Sequence, residues 1–150
     1  MTRIGLISAV CAAVLAGSAI APSAQGSKTY KTRLSPVPLD AQLSQVVSGL
    51  GSATATLSGN TLTVSGTFDG LKSPATIAQI HKAQRGVRGP VVFDLKVTPN
   101  GMGGAISGSL TLTPQQIADL DKSWFYIQLH SEKAPDGNLW GWLMPQETKK

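Results

Sequence analysis

The chain has 150 residues, with 13 Lys+Arg against 8 Asp+Glu and a formal net charge of +5, a length that suits one domain. That charge is too thin for the dense basic stripe of a nucleic-acid binder. With a single cysteine, Cys11, no disulfide can form within the chain, so the fold has to stand on packing alone.

Residues 1–26 read as a secretory signal peptide: Arg3 is a weak basic start, residues 4–16 are an apolar run, and Ala19, Ala21, Ala24 and Gly26 offer small residues for cleavage. Pro22 disfavours the Ala21 site, which leaves cleavage after Ala24 or Gly26. The run is too short and too alanine-rich for a membrane anchor, and Cys11 follows Ser8-Ala9-Val10, a poor lipoprotein context. Cleavage removes Cys11 and Arg3, leaving 12 Lys+Arg against 8 Asp+Glu, a charge of +4 to which Lys149 and Lys150 contribute half. The mature chain is expected to be secreted or periplasmic, with no integral membrane segment and no nucleic-acid partner.

Along the mature chain a first strand covers 30–34 and ends at Pro36 and Pro38; 41–50 is a loop or a short helical turn. The clearest hairpin follows. Residues 53–57 and 61–69 flank Ser58-Gly59-Asn60, and in the second strand Leu62, Val64, Gly66 and Phe68 alternate with threonine, serine and aspartate, a face-by-face pattern of an antiparallel sheet. Strands over 75–81, 91–97 and 105–111 come next, separated by a basic loop at 82–89 and a glycine-rich turn at 98–104. One helix is expected from Pro114 to about Asp121: Thr113 caps it, Gln116 completes a capping box, and Pro114 suits the first helical position. A strand over 123–130, a turn at Ala134-Pro135-Asp136-Gly137 and a strand over 138–144 complete a domain spanning 27–146, before a polar tail at 147–150. Seven or eight short strands at this spacing suggest a β-sandwich or a barrel.

The candidate chemistry centres on two strands with one pattern, Ala78-Gln79-Ile80-His81 and Ile127-Gln128-Leu129-His130, which hold the only two histidines. Side chains alternate along a strand, so Gln79 shares a face with His81 and Gln128 with His130. Neighbouring strands would gather all four. Two imidazoles can ligate copper or zinc, yet two fall short of the three protein ligands of catalytic zinc or the four of structural zinc; the other reading is two hydrogen-bonded, half-buried histidines. A turn at Asp136-Gly137 would also bring Trp124, Tyr126, Trp140 and Trp142 onto the His130 side. These rings form either a second core or a partly exposed patch for a protein, glycan or small ligand. Arg85 and Arg88, with Lys82, stand in a glycine-bearing loop able to receive an anion. Asp94 is a conspicuous acid in an apolar strand, able to pair with Lys96 or a loop arginine. Serine-hydrolase, zinc-protease and phosphate-loop motifs are absent from the sequence.

In combination these segments resemble the CHRD (chordin-type) domain family: Gly66-Thr67-Phe68-Asp69-Gly70-Leu71, Ser73-Pro74-Ala75-Thr76, Ile80-His81, Gly89-Pro90-Val91-Val92-Phe93-Asp94-Leu95, Leu112-Thr113 with Gln116, the run from Phe125 through His130, and Asp136-Gly137 before Gly141. The resemblance implies an immunoglobulin-like, antiparallel Greek-key β-sandwich with one short helix. The family occurs in many exported proteins, and the resemblance supports the fold more than an activity; with the signal segment and the missing catalytic motifs, the expectation is an exported protein with a non-enzymatic binding or structural role. Family members often carry H-x-H in the first motif; here Gln79 stands at the first of those positions, while His81 and His130 match the others. Gly137-Asn138-Leu139-Trp140-Gly141 departs from the family's G-E-I-R-G. More distantly, the histidine pattern and His130-Ser131-Glu132-Lys133-Ala134-Pro135-Asp136-Gly137 are similar to the copper site of copper/zinc superoxide dismutases, without the zinc-loop histidines or the disulfide. The expectation is therefore a binding module built on Gln79, Gln128, Trp124, Tyr126, Trp140, Arg85 and Arg88, with no catalytic residue. The alternative is copper or zinc held by His81 and His130, without dismutase activity.

Overall fold

Alternating apolar and polar residues give each strand of this chain one face to bury, and the strands bury those faces by wrapping around a single interior. The computed structural model describes residues 26–147; the expected signal segment up to residue 25 and the tail 148–150 lie outside the described residues. In chain order the elements are β1 (Lys28–Pro36), α1 (Leu43–Val46), β2 (Leu50–Ser58), β3 (Thr61–Asp69), β4 (Ala75–Lys82), β5 (Val91–Asn100), β6 (Gly103–Thr111), α2 (Pro114–Asp121), β7 (Phe125–Ser131), β8 (Ala134–Trp142) and β9 (Met144–Pro145).

The strands run in the order β2-β3-β6-β5-β4-β7-β8-β1, with β9 beyond β1, and β1 also pairs with β2. All pairings are antiparallel. Eight strands thus close into a barrel, and the expected immunoglobulin-like Greek-key sandwich is overturned. The closing strand explains why. Residues 28–34 of β1 pair with β2, and Ser35 and Pro36 pair with Trp140 and Leu139 of β8, so one strand bridges what would have been two open sheet edges. Alternation and strand count are the same for a sandwich and a barrel; only this pairing separates them.

An eight-stranded barrel has an interior just wide enough to be filled by side chains. Here Tyr30, Leu34, Leu62, Ile80, Ile106, Phe125, Ile127, Leu129, Leu139 and Leu143 fill it, all essentially inaccessible to solvent. Leu112 and Leu120, flanking and within α2, join the same cluster. The helix has the expected start: Thr113 Oγ1 accepts from the Gln116 N–H at 3.2 Å, and Gln116 Oε1 accepts from the Thr113 N–H at 2.8 Å. Its last turn is tied to the barrel by two carboxylates. Asp119, buried, meets Lys82 Nζ at 2.6 Å, and Asp121 meets Lys28 Nζ at 2.8 Å and the Tyr30 hydroxyl at 2.5 Å. The Lys82 ammonium holds Asp119 below its usual carboxylate pKa against the opposing effect of burial. Lys28, then Tyr30, do the same for Asp121, while burial first and Asp121 second push the Tyr30 hydroxyl upward.

The strands fall where expected, most with extended ends, but the one expected over 123–130 begins only at Phe125 and the one expected over 138–144 breaks at Leu143; two turns also need correction. The turn between the last long strands lies at Glu132-Lys133, not at Asp136-Gly137, and β5 continues to Asn100 so that the glycine-rich turn is short. Gly137, with φ of 132°, is spent inside β8 instead, on an irregularity that shapes the site.

Candidate functional site

β4 and β7 are neighbours, as the paired motifs require, but the register sets Gln79 against Gln128 and His81 against Tyr126. His130 lies further along β7. It faces a bulge: Leu129 pairs with Leu139 and Ser131 with Ala134, so four residues of β8, 135–138, stand opposite His130 alone. A bulge re-aims backbone groups next to sites, and this one turns two carbonyls toward β7. The Pro135 carbonyl accepts from His130 Nδ1 at 2.7 Å, and the Asp136 carbonyl accepts from Gln128 Nε2 at 2.8 Å and from Arg88 Nη1 at 3.0 Å.

His81 is fixed in the same manner from the other side. Its Nδ1 meets the Gly89 carbonyl at 2.8 Å, and the Gly89 N–H donates to the Tyr126 hydroxyl at 3.0 Å. The His81 ring stacks on Tyr126 at 5.0 Å and 17°. His81 and His130 come to 6.3 Å between ring centroids, tilted by 31°. A carbonyl oxygen only accepts, so both Nδ1 atoms carry a proton, and a neutral ring held in this way keeps its lone pair at Nε2. Both Nε2 atoms are buried without a hydrogen-bond partner. Burial, foremost, lowers the His130 pKa below its ordinary value; the Pro135 carbonyl opposes this, and His81 and Arg88 nearby add to the lowering. His130 therefore stays neutral at pH 7, the form that binds metals. Among the described residues no set of three His, Cys, Asp or Glu side chains gathers there or elsewhere.

The aromatic residues form a chain beside this pair. Tyr126 contacts Trp142 at 4.7 Å and Trp140 edge-on at 5.9 Å, and the two indoles meet at 4.8 Å and 66°. Tyr126 is fully buried, whereas Trp140 and Trp142 are half-buried. The rings thus make a packed layer at Tyr126 and an open edge at the indoles. Trp142 Nε1 donates to the Ala83 carbonyl at 3.2 Å, which fixes that indole against the 82–90 loop. Trp124 does not join them; it precedes β7 and carries the Lys122 ammonium over its ring at 5.0 Å.

The other expected residues divide. Gln79 donates to Asp94 Oδ1 at 2.8 Å, so this acid takes an amide partner, not Lys96 or an arginine; Gln79 stands opposite Gln128 in the register, with its amide turned to β5. Arg88 straps the loop to the β8 bulge, while exposed Arg85 lies by Trp140 and Trp142 in a surface groove that also takes in Lys31 and Arg33 of β1. Sequence reasoning does not place those two cations in a site. Their signal is nonetheless available in β1, where Lys31 and Arg33 alternate with the inward Tyr30, Thr32 and Leu34.

No curated protein and no solved structure matches the chain, and the distant dismutase likeness is not shown by any comparison. The family model of the CHRD domain matches residues 32–143. That span takes in every strand from within β1 to the end of β8, both histidines and the aromatic edge, and on it the chain belongs to the CHRD domain family.

Proposed function

We propose that the protein is an exported, non-enzymatic CHRD binding module whose recognition face is the outer surface of β8 and the adjoining 82–90 loop. The observation that carries this reading is the pair of indoles, Trp140 and Trp142, held half-buried in fixed orientations by Tyr126 and the Ala83 carbonyl. Aromatic rings already ordered before contact lose little entropy on binding, and such rings dominate recognition surfaces. Cleavage after Ala24 or Gly26 delivers this domain intact, since the described elements begin at Lys28. The test is a panel of immobilised extracellular polysaccharides and proteins probed with the mature chain. Loss of the bound partner on Trp140→Ala, with the urea melt unchanged, supports the reading; retention of all binding moves recognition to another face.

A second reading, copper or zinc binding by His81 and His130, is favoured by their two unpartnered Nε2 atoms. Leaving a buried acceptor unpaired costs about 1–3 kcal/mol, and a shared ion removes that cost for both. Each imidazole already has the carbonyl partner at Nδ1 that orients metal-bound histidines. At a bond length of about 2.0 Å, two rings on one ion have centroids up to roughly 6 Å apart, close to the observed 6.3 Å. Calorimetric titration of the mature chain with copper and with zinc decides it: affinity unchanged by His81→Ala with His130→Ala ends this reading.

A further inference from the structure

The groove along β1 and β8 has a volume of about 300 Å³, and its wall combines Lys31, Arg33 and Arg85 with Trp140, Trp142 and Met144. Among the described residues, no carboxylate lines it. The three cations are solvent-exposed, and none makes an ion pair with a described acid; the pairs among the described residues are Lys28–Asp121 and Lys82–Asp119. Lys31 and Arg33 lie two residues apart on one face of β1, so their Cα atoms are spaced by roughly 7 Å. Three unneutralised cations around two fixed indoles form a surface with two demands: a flat apolar face for the rings and negative charge for the side chains.

We propose that this groove binds an acidic carbohydrate, one uronate unit at a time, with the sugar ring on Trp140 and Trp142 and its carboxylate between Arg33 and Arg85. The proposal rests on the binding-module reading and names its ligand class. The volume lies at the low end of small-molecule clefts, which run from about 300 to 1,000 Å³, and suits a ring with a directly attached carboxylate. A protein partner needs about 800 Å² of matching surface on each side, far more than the groove offers. A planar guanidinium accepts a carboxylate through two parallel hydrogen bonds, and a neutral sugar would leave all three cations without a partner.

Tryptophan fluorescence of the mature chain, titrated with oligogalacturonate, tests this, with malto-oligosaccharide and dextran sulfate as parallel arms. Saturable quenching by oligogalacturonate is expected, weakened at least tenfold by Arg33→Ala with Arg85→Ala and weakened by added salt. Both substitutions are at exposed positions, and matching urea melts show that the fold is kept. Equal binding of malto-oligosaccharide, insensitivity to the double substitution, or no response to oligogalacturonate overturns the acidic-sugar assignment. Response to dextran sulfate alone overturns the carboxylate. In each of these cases the module reading stands if some other ligand is lost with Trp140→Ala, and falls if every ligand in the panel is indifferent to that change.

Discussion

Replacing Gly89 by alanine should dismantle the support of His81 from a position with no side chain of its own. A Cβ there would overlap the Lys82 carbonyl oxygen and come within 2.7 Å of that carbonyl's carbon and 2.9 Å of the Ala83 Cβ. Backbone on both sides has to give, so the 82–90 loop must lift. Three hydrogen bonds go with it: Gly89 N–H to the Tyr126 hydroxyl at 3.0 Å, His81 Nδ1 to the Gly89 carbonyl at 2.8 Å, and Lys82 N–H to the Pro90 carbonyl at 3.0 Å. At about 0.5–1.5 kcal/mol each, the expected loss is about 2–4 kcal/mol, read from urea melts followed by tryptophan emission. Gly86→Ala is the control. Gly86 has φ of 83°, and a methyl group added to its Cα would meet nothing within 4 Å, so only the backbone conformation is penalised, by about 1 kcal/mol. A second readout is the ¹⁵N spectrum of His81, which should lose its fixed Nδ1–H tautomer in the Gly89 variant and keep it in the Gly86 variant. A Gly89→Ala protein as stable as Gly86→Ala, with the His81 tautomer intact, would refute the reasoning.

Acid should destabilise the protein partly through the two helix carboxylates. Asp119 and Asp121 sit below the usual value of 3.8 when folded, so the unfolded chain takes up their protons first. Their stabilisation is complete above about pH 5 and is lost as pH falls through the folded values. Lys82→Met with Asp119→Leu should flatten part of the Tm decline between about pH 5 and pH 3, and an unaltered slope would count against the pair. Lys82→Met alone should cost about 2–3 kcal/mol at pH 7, less than for a fully buried pair because the Lys82 side chain is 40% exposed; a urea melt within about 0.5 kcal/mol of the parent, the range of an inconsequential surface change, rejects this. Thr113→Ala removes the capping bond of α2 and should cost about 1 kcal/mol, with a loss below about 0.3 kcal/mol showing that the helix is held by Leu120 and its carboxylates instead.

Much of the site is legible in the sequence where it depends on neighbours along the chain. Alternation places Ile80 and Leu129 inward, and the capping residues place α2 to the residue. The set Tyr126, Gln128 and His130, on the opposite face, follows from the same period of two. Arg88 and Arg85 are legible only as loop cations; one becomes a strap and the other part of a groove because of what β8 and β1 bring beside them. Gly137 reads as turn chemistry because Asp-Gly favours turns, but a positive φ serves a bulge equally well. The choice is made by Glu132-Lys133 closing the hairpin first, which leaves four residues of β8 to bow out opposite His130.

Local chemistry, then, determined from the sequence alone that this is an antiparallel all-β chain with one capped helix and two histidines on strand faces opposite the aliphatic core. Those properties depend on side-chain alternation and on backbone preferences within a few residues. The closed barrel, the carbonyls that lock His81 and His130, and the meeting of Lys31 and Arg33 with two indoles were decided by tertiary pairing. The reason is physical: strand alternation states which face is buried, but not which edge a strand will hydrogen-bond. In this protein β1 bonds along both of its edges, and that single choice makes the barrel and places its cations beside Trp140.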